Sequence, residues 1–568
     1  MHEQKQGFRE PGSPNAAYPW EPRSAMSAEC YPISVLPHVS ALYRDYLAMG
    51  ESALESPVRT WFGGEPFSGS WMRGSVRDGT DTAGLAAALD RQSRTFGASA
   101  AILNNIDKLR HGARAVVTGQ QVGLLGGPLL TLLKAATAVA RAREATRASG
   151  VEHVPIFWLA TEDHDLAEVD QVSLMTKTGL ETLRVGIRVP GAAPVGKVAL
   201  GADVDKVLEK AEELLGWAPV CDLLRQCYGS REDYTSTMGG AFARFMTAVF
   251  AEQGLIVMDA DSREFHALGA STLRSAIEDA EELEQALLVR SAELERVGYH
   301  AQVKVAKEMS LLFLISEVDG VVDRESLRRS ADGRWKAGRQ VYRTGDLLEI
   351  LEGEPERIGP SALLRPVFQD TILPTAAYVG GPAEVAYFAQ SAVLYQRILG
   401  RVTPVLPRLT ATLIEPAVAS VMDKDEVLLP DAMTSAELLA QRLGARAMPI
   451  ELKRRLASVG KAMDTELYAL IEYLDGMDAS LGRSGEISGS KMRYQMDRLR
   501  RMAASHELEK EASLRKHAAA ITLNVFPGGH PQERVVAGVW YLARYEGLLP
   551  RLIEEAASLC GGHAVVRL

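Results

Sequence analysis

RAVVTGQQVGLLGGPLLTLLKAATAVARAREATRASGVEHVPIFWLATEDHD, running from Arg114 to Asp165, alternates apolar runs with polar, glycine-dense turns. The β-branched run Ala115-Val116-Val117 breaks into the polar turn Thr118-Gly119-Gln120-Gln121. Gly126-Gly127-Pro128 follows, and then Leu129, Leu132, Leu133, Ala136, Val139 and Ala140 recur at helical spacing. A second apolar run, Val154 to Ala160, ends in Glu162-Asp163-His164-Asp165. The pattern is strand, loop, helix, strand, with polar residues massed after each strand. In open α/β sheets ligands bind beyond the carboxyl ends of the strands, so the chemistry is expected here.

Working outward, the same grammar recurs. Leu255 to Asp259 is a further buried strand ending in an acid, and Tyr378-Val379-Gly380-Gly381-Pro382-Ala383-Glu384 repeats strand, Gly-Gly-Pro, helix. Thr403-Pro404-Val405 is a last strand, with Arg408 just beyond it. Between these lie two blocks of short alternating strands, which read as insertions. The expected fold is an α/β, Rossmann-like parallel-sheet core interrupted twice. We divide it into core 28–167, insertion 168–235, core 236–298, insertion 299–360 and core 361–435. Strands are expected near 301–305, 310–315 and 321–327 in the second insertion.

From 436 to 521 the period changes. Leu452, Leu456, Val459, Met463, Leu467, Leu470, Leu474, Met477 and Leu481 are spaced 4, 3, 4, 4, 3, 4, 3 and 4, a heptad seam with one stutter. A break is expected at Gly482 to Ser490, joining two arms of an antiparallel α-helical coiled coil. Residues 522–568, beginning Phe526-Pro527-Gly528-Gly529, read as a return to the core. Residues 1–27 read as a disordered tail.

A chain of 568 residues exceeds one core, and 46% hydrophobic with 24% charged residues is ordinary for a globular protein. The net charge of −10 supplies no basic field for nucleic acid. The apolar stretch Gly123 to Ala140 contains Pro128 and Lys134 and falls short of the ~20 apolar residues of a spanning helix. No secretory pattern opens the chain, and a cytoplasmic location is expected. The four cysteines, Cys30, Cys221, Cys227 and Cys560, are scattered and expected to be free, mostly buried thiols.

The Thr118 to Pro128 loop reads either as an anion cradle, with glycine amides and a helix N-terminus, or as a tight structural turn. It matches neither a P-loop nor GxGxxG. Around His164, the carboxylates of Glu162, Asp163 and Asp165 would raise the imidazole pKa and could orient it as a base, bind an ammonium or hold a metal. The alternative is that Asp163 or Asp165 caps a helix and His164 packs. No spaced ligand cluster is visible, so no metal is expected. Gln369 and Asp370 are secondary candidates.

Together TGQQVGLLGGPLLTLLK (118–134), PIFWLATEDHD (155–165), RPVFQDTILPTAAYVGGPAEVAYF (365–388), PVLPRL (404–409) and FPGGHPQERV (526–535) resemble the cysteine-adding enzyme family of bacillithiol biosynthesis. The resemblance implies a Rossmann-like core with two connecting-peptide insertions, a coiled-coil domain and a homodimer. It implies a ligase that joins L-cysteine to the amine of glucosaminyl-malate, with ATP activating the carboxylate. Neither HIGH nor KMSKS, the motifs of related nucleotide-activating folds, stands at the strand ends.

On this reading Glu162, Asp163, His164 and Asp165 are the catalytic group, with an aspartate holding an ammonium and His164 acting as base or phosphate contact. Thr118, Gly119, Gln120, Gln121, Gly126 and Gly127 bind substrate from one strand end, and Tyr378, Gly380, Gly381 and Glu384 from another. Lys134 and Arg408 are candidates for nucleotide. The competing expectations are a non-catalytic nucleotide-binding scaffold dimerising through its coiled coil, and a nucleotidyltransferase-like or metal-dependent transferase.

Overall fold

The computed structural model describes residues 29–568 except 51–56, 75, 77–78, 190, 231–235, 319–320, 331 and 559. The expected tail, residues 1–27, lies outside the described residues.

The opening stretch forms β1 (Arg114–Gln121), α1 (Leu129–Ser149) and β2 (His153–Ala160). The core continues with β3 (Ile256–Asp259), α2 (Arg263–Glu278), β4 (Thr375–Gly380), α3 (Pro382–Leu399) and β5 (Val405–Pro407). The strands lie in the order β5-β4-β1-β2-β3, and every neighbouring pair is parallel. From β1 the chain proceeds one way through β2 and β3, then returns to the other side with β4 and β5. The strand order therefore reverses between β1 and β4, where a doubly wound sheet opens a crevice.

Helix α1 starts after Pro128, whose fixed φ suits a helix entry, and stops at Gly150 in the left-handed region, φ 73°. Its buried residues run round the helix, so it must be covered on every side. The outer cover comes from the end of the chain: Leu549 and Leu552 of helix Leu548–Ala557 share one core cluster with Leu132, Leu133 and Val139. Gly126 has φ 86°, and a Cβ there would meet the Phe245 ring at 2.3 Å. The Gly-Gly-Pro turn is tight because the core closes on it.

The first insertion carries the antiparallel hairpin Gln171–Met175 and Leu180–Arg184, then two helices. The second is built on a five-stranded antiparallel sheet that includes Met309–Val318, Val321–Arg329 and Ile358–Pro360. The strand expected at 301–305 is not formed. The Gln390 side chain instead accepts from the Val303 amide and donates to the Val303 carbonyl, both at 2.9 Å, taking the groups a ladder would use.

Beyond the core, α4 (Ile450–Met477) and α5 (Ala479–Lys510) form a long hairpin. The turn falls at Asp478, not at Gly482 to Ser490, and α5 runs helically through the glycines. Asp478 is extended and its carboxylate caps the Ser480 amide at 2.8 Å. The glycines let the arms approach instead: a Cβ on Gly482 would strike Asp475 at 2.3 Å, and one on Gly485 or Gly489 would press on Ile471. The heptad row is split by this packing. Leu467 is buried against α5, whereas Val459, Leu470, Met477 and Leu481 face outward.

The expectation of four free thiols is corrected. A three-stranded sheet places Glu29–Tyr31 beside His563–Arg567, and Cys30 is joined to Cys560 with Cα atoms 5.8 Å apart. Only tertiary pairing of the chain ends brings these two together. Cys221 and Cys227 are free and buried. Among the described residues no helix is long and apolar enough to cross a membrane.

Candidate active site

At the switch point Lys134, in the second turn of α1, is buried and aims its ammonium at the end of β1. Its Nζ donates to the Gly119 carbonyl and to Gln120 Oε1, both at 2.8 Å, and pairs with Glu384 at 2.6 Å. Glu384 is the third residue of α3; it accepts from the Gly381 amide at 2.7 Å and from the Tyr378 hydroxyl at 2.6 Å. Burial drives the Lys134 amine down, with the Glu384 charge opposing. Burial would raise Glu384, but the Lys134 cation and the three donors outweigh it, so its carboxyl lies below the usual range. The result is a buried ionised pair that ties β1, α1 and α3 together at the crevice. Gly119 has no room for a side chain, since a Cβ would lie 2.9 Å from the Trp158 carbonyl. Thr118 donates to the Val379 carbonyl at 2.9 Å and is fully buried, so it fastens β1 to β4.

The Glu162–Asp165 segment separates into different jobs. Glu162 turns inward, with Oε1 3.0 Å from His266 Nε2 on α2. Asp163 accepts from Gln121 Nε2 at 2.7 Å and from the His164 amide at 2.8 Å. Asp165 caps the short helix Leu166–Val169 through the Glu168 amide at 3.2 Å. His164 is half exposed, with Nδ1 3.7 Å from Asp163. The buried histidine of this region is therefore His266, not His164.

The glycine loop is a structural turn. The Gly126 amide donates to the Tyr228 hydroxyl at 3.0 Å and the Gly127 amide to the Leu124 carbonyl at 3.0 Å. The first amide of α1, on Leu129, donates to the Val536 carbonyl at 2.8 Å. An anion finds none of these three donors free, so the cradle expected at Gly126 and Gly127 is absent and a triphosphate does not fit there. Arg408 is likewise engaged. It forms a fully buried bidentate pair with Glu533, at 2.5 and 3.0 Å, locking the FPGGHPQERV segment to β5. Asp370 is enclosed by Gln369, Tyr395 and Thr403, away from solvent.

Other residues complete the wall. Arg365 donates to the Tyr387 hydroxyl at 2.7 Å, and its charge is felt by both Glu162 and Lys134. Arg324, from the second insertion, lies over the Phe313 ring at 3.5 Å and its charge is felt by Glu162. Among the described residues neither guanidinium has a carboxylate within ion-pair distance. At the end of β3, Asp259 accepts from Thr161 at 2.6 Å, and just beyond it Lys197 pairs with Asp261 at 2.9 Å. Burial pushes the Asp261 carboxyl up to about 6, with Lys197 pulling the other way. Asp259, Asp261 and Lys197 line an open cleft of about 420 Å³. The acid-ended strand at Asp259 and the stretch that Arg365 opens were the sequence signals pointing here; Arg324 carried none, because it reaches the site from the second insertion.

The pattern of the whole chain now has relatives to set beside it. "Bacillithiol biosynthesis BshC, N-terminal Rossmann-like domain" matches residues 26–409, and "Bacillithiol biosynthesis BshC, C-terminal coiled-coil domain" matches 411–568. This chain belongs to the BshC family. A Koribacter versatilis protein named "Putative cysteine ligase BshC" is 40% identical over 96% of this chain and 100% of its own. BshC proteins of the same name from Solibacter usitatus and Salinibacter ruber are 34% and 30% identical, covering 80% and 88% of this chain and 84% and 93% of theirs. The sheet and the helical hairpin described above fall within the two matched BshC domains.

Proposed function

We propose that this chain is a ligase of bacillithiol biosynthesis, joining L-cysteine to the amine of glucosaminyl-malate as an amide. The observation that carries the reading is the pair Arg324 and Arg365. Two guanidinium groups without carboxylate partners stand over the strand ends, the chemistry needed to hold a substrate that bears carboxylates. The family membership supports the same assignment. Asp163, half exposed and held by Gln121, is placed to take an ammonium, and His164 stands at the mouth, where a base can reach an attacking amine. Gln120, clamped by Lys134, and Tyr378 with Glu384 form the wall against which the sugar would sit.

A free carboxylate and an amine do not condense unaided in water, so ATP is proposed as co-substrate. Because the glycine-loop amides are taken, no step is routed through them. The exposed face of α4 is proposed as the surface through which two chains pair: Val459, Leu470, Tyr473 and Met477 lie on one side of the helix and are all exposed.

The test is direct. Purified protein with cysteine, glucosaminyl-malate and ATP should yield a thiol with the mass of the amide. Arg365→Gln and Arg324→Gln should each raise KM for glucosaminyl-malate about tenfold or more, the size of a lost charge-assisted bond, with circular dichroism unchanged. Absence of product from the unmodified protein sinks the reading.

A further inference from the structure

Glu162, Asp261 and His266 come from the end of β2, the loop after β3 and the body of α2, yet one ligand atom from each lies within 4.8 Å of the others. Two further observations point to what they await. First, Asp261 is buried, its side chain 4% exposed; Oδ2 takes Lys197, but Oδ1 accepts no hydrogen bond at all. A buried carboxylate oxygen without a donor is costly, because its lost hydration is not replaced. Second, His266 is fully buried, and its Nδ1 lies 3.1 Å from both the Pro355 and the Ile358 carbonyl oxygens. Carbonyls only accept, so Nδ1 carries the proton. Nε2 faces the Glu162 carboxylate, 3.0 Å away, to which it donates its own proton, and a metal ion would take the place of that one proton. A histidine whose far nitrogen is pinned by carbonyls while the near one faces carboxylates has the arrangement that orients metal ligands.

We propose that Glu162, Asp261 and His266 form a binding site for a divalent transition-metal cation of the zinc type. One nitrogen and two carboxylate donors match zinc's ligand set and leave a fourth position open. An all-oxygen site would suit magnesium or calcium better. Lys197, half exposed, neutralises the outer oxygen of Asp261 and partly opposes an incoming cation. The site stands apart from the ligase reading, since it is tested by metal bound and not by turnover.

Full-length protein, stripped with a chelator, is titrated with Zn²⁺ by calorimetry, with Mg²⁺ in parallel. The expected result is one Zn²⁺ per chain, with Mg²⁺ far weaker. Asp261→Asn and Glu162→Gln, both isosteric, should each weaken Zn²⁺ binding at least about tenfold. Lys197→Gln, on a half-exposed side chain, should strengthen it. No stoichiometric binding, binding unaltered by both isosteric variants, Mg²⁺ bound as well as Zn²⁺, or weaker binding in Lys197→Gln would each overturn the proposal.

Discussion

The core and the helical hairpin break opposite rules. The core buries charge: Lys134 with Glu384, Arg408 with Glu533 and Glu162 with His266 are all withdrawn from water. The hairpin exposes apolar surface, with Tyr473 at 70%, Met477 at 62% and Leu470 at 54%. Buried charge persists only where every partner is in place, because removing one leaves the other stranded in low dielectric. Exposed apolar residues on a helix face cost little until something covers them, and then burial stabilises the pair. The core is thus specified from within, whereas the hairpin leaves an apolar face uncovered.

The largest test of that contrast is Glu533→Ala. It leaves the Arg408 guanidinium buried without its carboxylate and should lower unfolding free energy by about 3–5 kcal/mol. Glu472→Ala, exposed on α4, should change it by no more than about 0.5 kcal/mol. Similar losses in denaturant titrations of the two would erase the distinction. Lys134→Met strands the Glu384 carboxylate and should cost about 3 kcal/mol, with part recovered when Glu384→Gln is added. Additive losses in the double variant would mean the two groups act separately.

Acid supplies a third, smaller probe. His563 is fully buried between Thr410 and Thr412, and burial pushes its pKa from 6.5 down to about 4. The unfolded chain binds this proton first, so the contribution is intact above pH 6.5 and is lost as pH falls toward 4. The loss is at most about 3 kcal/mol. His563→Gln should remove that part of the acid sensitivity, visible as a flatter pH dependence of the unfolding midpoint between those limits. An unchanged slope would mean that the imidazole is not held neutral.

Smallest in folding energy is the hairpin. Leu470→Asp with Tyr473→Asp should leave the unfolding midpoint of the core within about 0.5 kcal/mol yet lower the sedimentation coefficient of the assembled species. A fall in core stability with no change in association would show that this face packs within the chain.

The parallel sheet was readable because its grammar is local: apolar run, polar strand end, glycine turn, helix. So was the neighbourhood of the site, since Gln120 stands at the end of β1 and Glu162 and Gly381 stand just beyond β2 and β4. The division of labour within Glu162–Asp165 was not readable. Which way each carboxylate turns depends on Gln121, on the Glu168 amide and on a histidine from α2, and no spacing in the segment encodes that. The heptad row misled for a similar reason, because glycines that read as a helix break serve in α5 to seat the arms.

Polar residues at the ends of buried strands are encoded locally, because alternation and period are properties of neighbours along the chain. Which of those residues meet is set by how the chain packs in three dimensions. Lys134 reaches Glu384, Glu162 reaches His266 and Cys30 reaches Cys560 across long stretches of folded chain, and the energy of a buried charge or a metal ligand depends on distances in space.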